Sequence, residues 1–125
     1  MQRYKSGSSF EQKIGYCRAV SDGIYIHISG TTGYDYASMS ISPNTVDQAE
    51  QCMRNIGEAL EAFDATFSDI VRVHYYCPSA ADFEACWPVF RRYFEQSPPA
   101  ATMLAVPLLD PEMKIEIEVT ARCPN

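Results

Sequence analysis

Polar and apolar residues alternate strictly near the end of the chain, and this alternation predicts a strand with one apolar face. The apolar positions are Ile115, Ile117 and Val119. The polar positions are Glu116, Glu118 and Thr120. Residues 101–106 are instead apolar on both alternating faces. They predict a second strand that helices cover on one face and a partner subunit covers on the other. We expect a short turn at residues 110–114 to join these two strands.

The first part of the chain is predicted to form a hairpin. Residues 14–20 and 24–28 are mainly apolar and flank Ser21-Asp22-Gly23. An Asp-Gly pair between apolar segments favours a tight turn, because glycine accepts the positive φ that such turns need. The glycines at positions 30 and 33 end the second strand, and residues 34–43 are predicted to be a loop.

Two segments carry apolar residues at helical spacing. The first extends from Thr45 to about residue 63, and Thr45 and Gln48 have the spacing of a capping box. The second begins at residue 79 or 80. Pro88 lies inside it and predicts a kink or a late start, because proline costs an ideal helix interior about 3 kcal/mol.

A further strand at residues 70–77 completes the order β-β-α-β-α-β-β. This order predicts an α+β fold in which residues 1–125 form a single domain and two helices pack on one face of a sheet. The opposite face would carry Tyr25, His27, His74 and Tyr76, which is too aromatic for a plain solvent face. We therefore expect that face to be buried against other copies of the chain.

Charge and hydropathy exclude several classes of partner. The net charge of −6 at pH 7 disfavours a nucleic-acid groove, because phosphate binding needs clustered Lys and Arg. No apolar run approaches the roughly 18 residues that span a bilayer, and residues 1–10 are too polar for a secretory signal. We expect neither nucleic acid nor a membrane as a partner, and we expect a cytoplasmic location.

The cysteines favour reduced thiols over a disulfide framework or a zinc site. Their number is odd and no two have C-x-x-C spacing. They are Cys17, Cys52, Cys77, Cys86 and Cys123. The chain has only two histidines, so we expect no metal site.

The C-terminal segment, with Pro-Pro-Ala-Ala-Thr-Met at residues 98–103 and Ile-Glu-Ile-Glu at residues 115–118, resembles the RidA/YjgF/YER057c family. Residues 16–20, 29–31 and 82–90 are similar to three further motifs of that family. The resemblance covers nearly all of residues 15–121. It implies a chorismate-mutase-like fold and a homotrimer with small-molecule pockets at the subunit contacts.

The resemblance also implies a set of site residues. Glu116 corresponds to the glutamate that handles water, and Tyr16 and Thr31 fall in pocket motifs. The pocket asparagine of the family is replaced by Trp87, and its C-terminal strand has Ala101 where the family has an arginine. Substrate-binding candidates are therefore Tyr16, Arg18, Thr31, Trp87, Ala101 and Met103. From its spacing alone, Trp87 fits a core position equally well.

The family reaction is hydrolysis of a 2-enamine or 2-imine acid to a keto acid and ammonia, and it needs no cofactor. An arginine holds the substrate carboxylate with two hydrogen bonds. Because Ala101 removes that cation, we expect weak or absent activity on 2-iminopropionate. A small molecule, with a carboxylate as one candidate, remains the expected ligand.

Arg18 has two interpretations. It lies two residues from Tyr16 on a predicted strand, so both side chains would share a face and Arg18 could replace the missing cation as a catalytic group with Glu116. Alternatively, Arg18 pairs with Glu116 or Glu118. Two functions follow: an imine deaminase with an altered substrate range, and a non-catalytic trimer that binds a small metabolite.

Overall fold

The computed structural model describes residues 1–124, which form eight strands and four α-helices. The strands are β1 (Gln2–Tyr4), β2 (Ala19–Ser21), β3 (Tyr25–Thr32), β4 (Tyr34–Asp35), β5 (Ser40–Ile41), β6 (Ile70–Cys77), β7 (Ala100–Ala105) and β8 (Glu116–Arg122). The helices are α1 (Ser9–Ile14), α2 (Thr45–Glu61), α3 (Ala80–Ala85) and α4 (Trp87–Phe94), with a 3₁₀ turn at Phe67–Asp69.

Six strands form one sheet in the order β1-β2-β3-β8-β6-β7, and β4 and β5 form a separate hairpin. Only β7 runs parallel to its neighbour, β6; the other pairs of the sheet are antiparallel. The predicted pairing of the two C-terminal strands is therefore wrong, because β8 lies between β3 and β6. The reason is the helical crossover from β6 through α3 and α4, which returns the chain parallel to β6 at the sheet edge.

The predicted core is confirmed. The apolar stripe of α2 is fully buried against the apolar faces of β3, β6 and β8. The buried residues of α2 include Ala49, Cys52, Met53, Ile56, Ala59 and Leu60. Both predicted helices pack on this face, and the second is interrupted as Pro88 indicated: α3 ends at Ala85, and the proline lies in the first turn of α4.

The start of α2 differs from the prediction. Asn44, not Thr45, is the N-cap residue, and its side chain accepts a hydrogen bond from the Asp47 backbone N–H. The predicted partner Gln48 is fully buried. Its amide donates to the backbone oxygens of Ser42 and Glu112, and it thereby fixes α2 to the loop before β8.

The N-terminal segment holds two elements that were not predicted, β1 and α1. The strand predicted over residues 14–20 is reduced to β2, because residues 9–14 form α1 and residues 16–18 cross between the two elements. The loop predicted over residues 34–43 contains the β4–β5 hairpin.

The face of the sheet away from the helices is partly exposed within one protomer: His27 is exposed, and Tyr25, His74 and Tyr76 are half-buried. Its burial against other copies of the chain stays a prediction. β7 is an edge strand, and most of its residues are exposed. Met103 and Leu104 of this strand are large apolar side chains that are exposed, and so are Val71 on β6 and Trp87 on α4. An exposed edge strand with apolar residues on both faces is a surface that proteins normally cover.

Within residues 1–124, no helix has the length and apolar character that crossing a membrane requires. All five cysteines are free.

Candidate functional site

Arg18 occupies the centre of a buried polar cluster, with 1% of its surface exposed. Its Nη2 contacts Glu11 Oε2 at 3.2 Å, and Glu11 is itself buried on α1. Its Nη1 donates to the backbone oxygen of Gly30 at 2.7 Å and to Thr31 Oγ1 at 3.4 Å. The guanidinium therefore joins α1 to β3.

Aromatic rings complete the surroundings of this cation. The Arg18 guanidinium carbon lies 4.3 Å from the Tyr36 ring centre and 5.6 Å from that of Tyr16, within the range of cation–π attraction. Arg18 also borders a cavity of about 150 Å³ together with Asp35 and Glu58. Those two carboxylates make the cavity unfavourable for an anion.

Residues 16–18 are not in a strand, so the geometry assumed for a shared face of Tyr16 and Arg18 does not form. The ion-pair partner of Arg18 is Glu11, rather than either of the two glutamates of β8 that were considered. The reason is helix α1, which holds the Glu11 carboxylate within ion-pair distance of Arg18. A signal for this helix is present in the sequence, because Ser8-x-x-Glu11 has capping-box spacing, and the Ser8 side chain does accept from the Phe10 N–H.

Glu116 lies against a backbone irregularity in β3. The pairing of β3 with β8 shifts register between Ile28 and Thr31, and a Cβ atom added at Gly30 would overlap Glu116 Oε2. Glycine at position 30 therefore makes room for the carboxylate, as glycines at close approaches commonly do. Because Arg18 binds the Gly30 carbonyl, it also holds the segment against which Glu116 rests.

Partial burial raises the pKa of the Glu116 carboxyl above its ordinary value, since the charged form loses hydration. The positive charge of Arg18 opposes this effect, and the negative charge of Glu118 adds to it. A carboxyl group with a raised pKa can take up and release a proton nearer to neutral pH than an exposed one. That property suits a group that activates or positions water.

A cavity of about 770 Å³ adjoins this irregularity. Tyr16, Cys17 and Ser29 form part of its wall, and Ser29 directly precedes Gly30. Arg3 and Lys5 line the same cavity from the N-terminal segment. Its volume is in the range of cavities that bind small molecules.

The remaining predicted site residues lie elsewhere. Trp87, on α4, is 51% exposed. Met103 is 55% exposed and Ala101 is also exposed; both lie on β7, at the sheet edge opposite β1. Thr31 is fully buried on the core side, opposite Ile117, so its hydroxyl is not open to a ligand in a single protomer. Within one protomer, Ala101, Met103 and Trp87 are therefore not part of the wall that contains Tyr16.

Comparisons with known proteins identify the class to which this arrangement belongs. The family described as Endoribonuclease L-PSP matches residues 7–123. The 2-iminobutanoate/2-iminopropanoate deaminase of Capra hircus is 36% identical over 107 residues, covering 85% of this chain and 78% of that protein. The human protein of the same name is 31% identical with the same coverage. The chain belongs to this family, also known as the RidA/YjgF family.

The fold agrees with solved structures of the family. A member of the YjgF/YER057c/UK114 family from Mycobacterium tuberculosis has a TM-score of 0.87 and 30% sequence identity, covering 97% of this chain and 98% of that one. The α+β fold predicted from the sequence is therefore confirmed.

Proposed function

We propose that the chain forms a homotrimer that hydrolyses 2-imine or 2-enamine acids to keto acids and ammonia in clefts between subunits, with a substrate range altered by Ala101. The observation that carries this proposal is Glu116, a half-buried carboxylate with a raised pKa that rests against Gly30. Gly30 directly follows Ser29, which lines a cavity together with Tyr16. Relatives named 2-iminobutanoate/2-iminopropanoate deaminase support the reaction class.

Two features support assembly. Val71, Met103 and Leu104 expose apolar surface at the β7 edge, and burying such surface favours association by roughly 25 cal/mol per Å². Ala101 and Met103 lie on β7, whereas the cavity lined by Tyr16 adjoins β1 and β2, so in the proposed assembly a second copy brings these groups together. A trimer has three such contacts and three clefts.

In the proposed reaction, Glu116 accepts a proton from water as the water oxygen bonds to the imine carbon. The C=N double bond becomes a single bond, and the nitrogen is protonated, giving a carbinolamine. Transfer of the hydroxyl proton then allows the C–N bond to break, so ammonia leaves and the C=O bond forms. The protons balance within water, substrate and Glu116, and no cofactor takes part.

Arg18 has a positioning role in this scheme. Its hydrogen bond to the Gly30 carbonyl and its ion pair with Glu11 fix the segment beside Glu116. Trp87, Met103 and Ala101 would contribute an apolar wall from the neighbouring subunit. This wall favours substrates with a larger hydrophobic part than 2-iminopropionate.

The test is keto-acid release from imines generated in place from amino acids by an amino-acid oxidase. We expect 2-imino-4-methylpentanoate to be hydrolysed faster than 2-iminopropionate, and Glu116→Gln to lose most of the activity. Glu118→Gln is the matched control, because Glu118 lies two residues further along β8 on the same face. This variant should retain the activity. A wild-type protein that accelerates release from neither imine would contradict the proposal.

The alternative is a trimer that binds a small metabolite without reaction, and Ala101 is the observation that favours it. Under this alternative, the protein does not accelerate keto-acid release in the imine assay. It still binds a keto acid, and the amount bound rises with the protein concentration. Binding without turnover by the wild type would therefore replace the enzymatic assignment.

A further inference from the structure

Two cations face the cavity of about 770 Å³ without an anionic partner. Arg3 and Lys5 line it, and neither forms a salt bridge with any group in residues 1–124. The acidic residue of the same wall, Glu11, already pairs with Arg18 and binds the Ser6 hydroxyl. In a chain of net charge −6, this wall is therefore locally positive.

The geometry places these cations on the side of the sheet that is away from the helices. Arg3 is opposite Val20 in the β1–β2 pair, and Val20 is opposite His27 in the β2–β3 pair. Directly opposite residues share a face, and His27 is exposed on the open face. The cavity therefore extends from Arg3 and Lys5 across the open face to Ser29.

Arg18 does not serve an anion in this cavity. It is almost fully buried, and its two terminal nitrogens are occupied by Glu11, Gly30 and Thr31. A substrate carboxylate enclosed without a cation would carry a large desolvation cost, so the charge must come from another residue.

We propose that Arg3 and Lys5 bind the carboxylate of the substrate and thereby supply the positive charge that Ala101 does not. The ligand class is a 2-imino or 2-oxo monocarboxylate, held with its carboxylate at the Arg3 and Lys5 end. Its 2-carbon then points along the wall to Ser29, next to the glycine that accommodates Glu116. This inference rests on the proposed function for the reaction, but carboxylate binding can be measured without it.

The experiment measures binding of 2-oxobutanoate, a stable analogue of the imine, to the assembled protein by calorimetry or ligand-observed NMR. The variant is Arg3→Gln with Lys5→Gln, and the control is Arg54→Gln with Arg91→Gln, which removes the same charge from helix surfaces. We expect roughly 10- to 100-fold weaker binding in the first variant only, as expected for lost charge-assisted hydrogen bonds. Both altered side chains are exposed, and circular dichroism and sedimentation verify folding and assembly.

Three further measurements test whether the lost binding is due to the charges of Arg3 and Lys5 and to the carboxylate of the ligand. Arg3→Lys with Lys5→Arg keeps both charges and should restore binding to within a few-fold of the wild type. Binding of the neutral analogue 2-butanone should be the same in all variants. If inorganic phosphate displaces 2-oxobutanoate at equal concentration, the cavity is a general anion site and the carboxylate assignment is overturned.

The outcomes separate this inference from the proposed function. If the wild type hydrolyses imines and the Arg3/Lys5 variant has an unchanged KM and unchanged 2-oxobutanoate affinity, the inference is wrong and the deaminase remains. If the wild type binds 2-oxobutanoate through Arg3 and Lys5 but hydrolyses no imine, the inference holds and the deaminase is wrong.

Discussion

The two edges of the sheet differ in how complete they are within one protomer. At the β1–β2 edge, Arg18, Glu11 and Gly30 form a buried polar cluster in which the charges are paired. At the β7 edge, Met103 and Leu104 lie exposed on a strand that has a neighbour on one side only. The charged groups of the first edge are paired within one protomer, whereas the second edge leaves apolar side chains exposed. Changes at the first should therefore act on stability and catalysis, and changes at the second on assembly.

The largest effect is expected from breaking the buried ion pair. Arg18→Ala leaves the Glu11 carboxylate buried without a cation, and loss of one partner of a buried pair typically costs about 3–5 kcal/mol. Urea unfolding measures the change, with Arg54→Ala as an exposed control that shifts stability by less than about 0.5 kcal/mol. Replacing both partners, Glu11→Gln with Arg18→Met, should recover part of the loss.

The same variant tests the role of Arg18 in the site. A folded Arg18→Ala trimer that hydrolyses imines at the wild-type rate would show that Arg18 neither replaces the family arginine nor positions Glu116. It would then be a structural ion-pair residue only.

The next effect is expected at Glu116. Glu116→Gln cannot accept a proton from water, and removal of a general base typically lowers the rate by about 100-fold or more. The decrease should appear in kcat with a smaller change in KM, because Gln keeps the shape of the side chain. Equal rates for Glu116→Gln and Glu118→Gln would assign proton transfer to another group.

A smaller effect is expected at the exposed edge. Leu104→Lys places a charge on β7 at a position that is half exposed in the protomer, so it should weaken association while leaving the unfolding free energy of the protomer nearly unchanged. Sedimentation velocity over a dilution series measures the shift towards monomer. The exposed Leu109 is 91% accessible outside the sheet, and Leu109→Lys is the matched control. A Leu104→Lys protein as fully associated as this control would place the contact elsewhere.

The parts of the fold that follow from local patterns were predictable. The stripe of α2, the alternation of β8 and the break at Pro88 each depend on residues close in sequence. The position of β8 between β3 and β6 was not predictable from such patterns, because strand pairing joins residues that are far apart along the chain. β1 and α1 were missed since three to six residues carry too little periodicity.

The candidate site was predictable to a similar extent. Glu116 and Tyr16 were named from motifs, and their roles stay predictions. Residues on both faces of β7 are exposed, so the helical cover predicted for one face does not form within one protomer. Glu11, Arg3 and Lys5 were not among the candidates, whereas Gly30 lies in the motif at residues 29–31. These residues come together only when α1 and β1 pack beside the irregularity of β3. The Ser8-x-x-Glu11 spacing indicates the start of α1, but it does not indicate this long-range contact.

The smallest effect concerns the pH dependence that Glu116 gives to stability. Burial raises the pKa of the Glu116 carboxyl in the folded protein. Protonation of this carboxyl therefore stabilises the folded state. This contribution is fully present below the ordinary glutamate pKa of 4.5, and it is lost as the pH rises through the higher folded value. Glu116→Gln is neutral at every pH, so at pH 7 it should unfold at a higher urea concentration than the wild type although it is the less active protein. The difference should shrink as the pH falls towards 4.5, and a difference that stayed constant over this range would show that the carboxyl is not strained by burial.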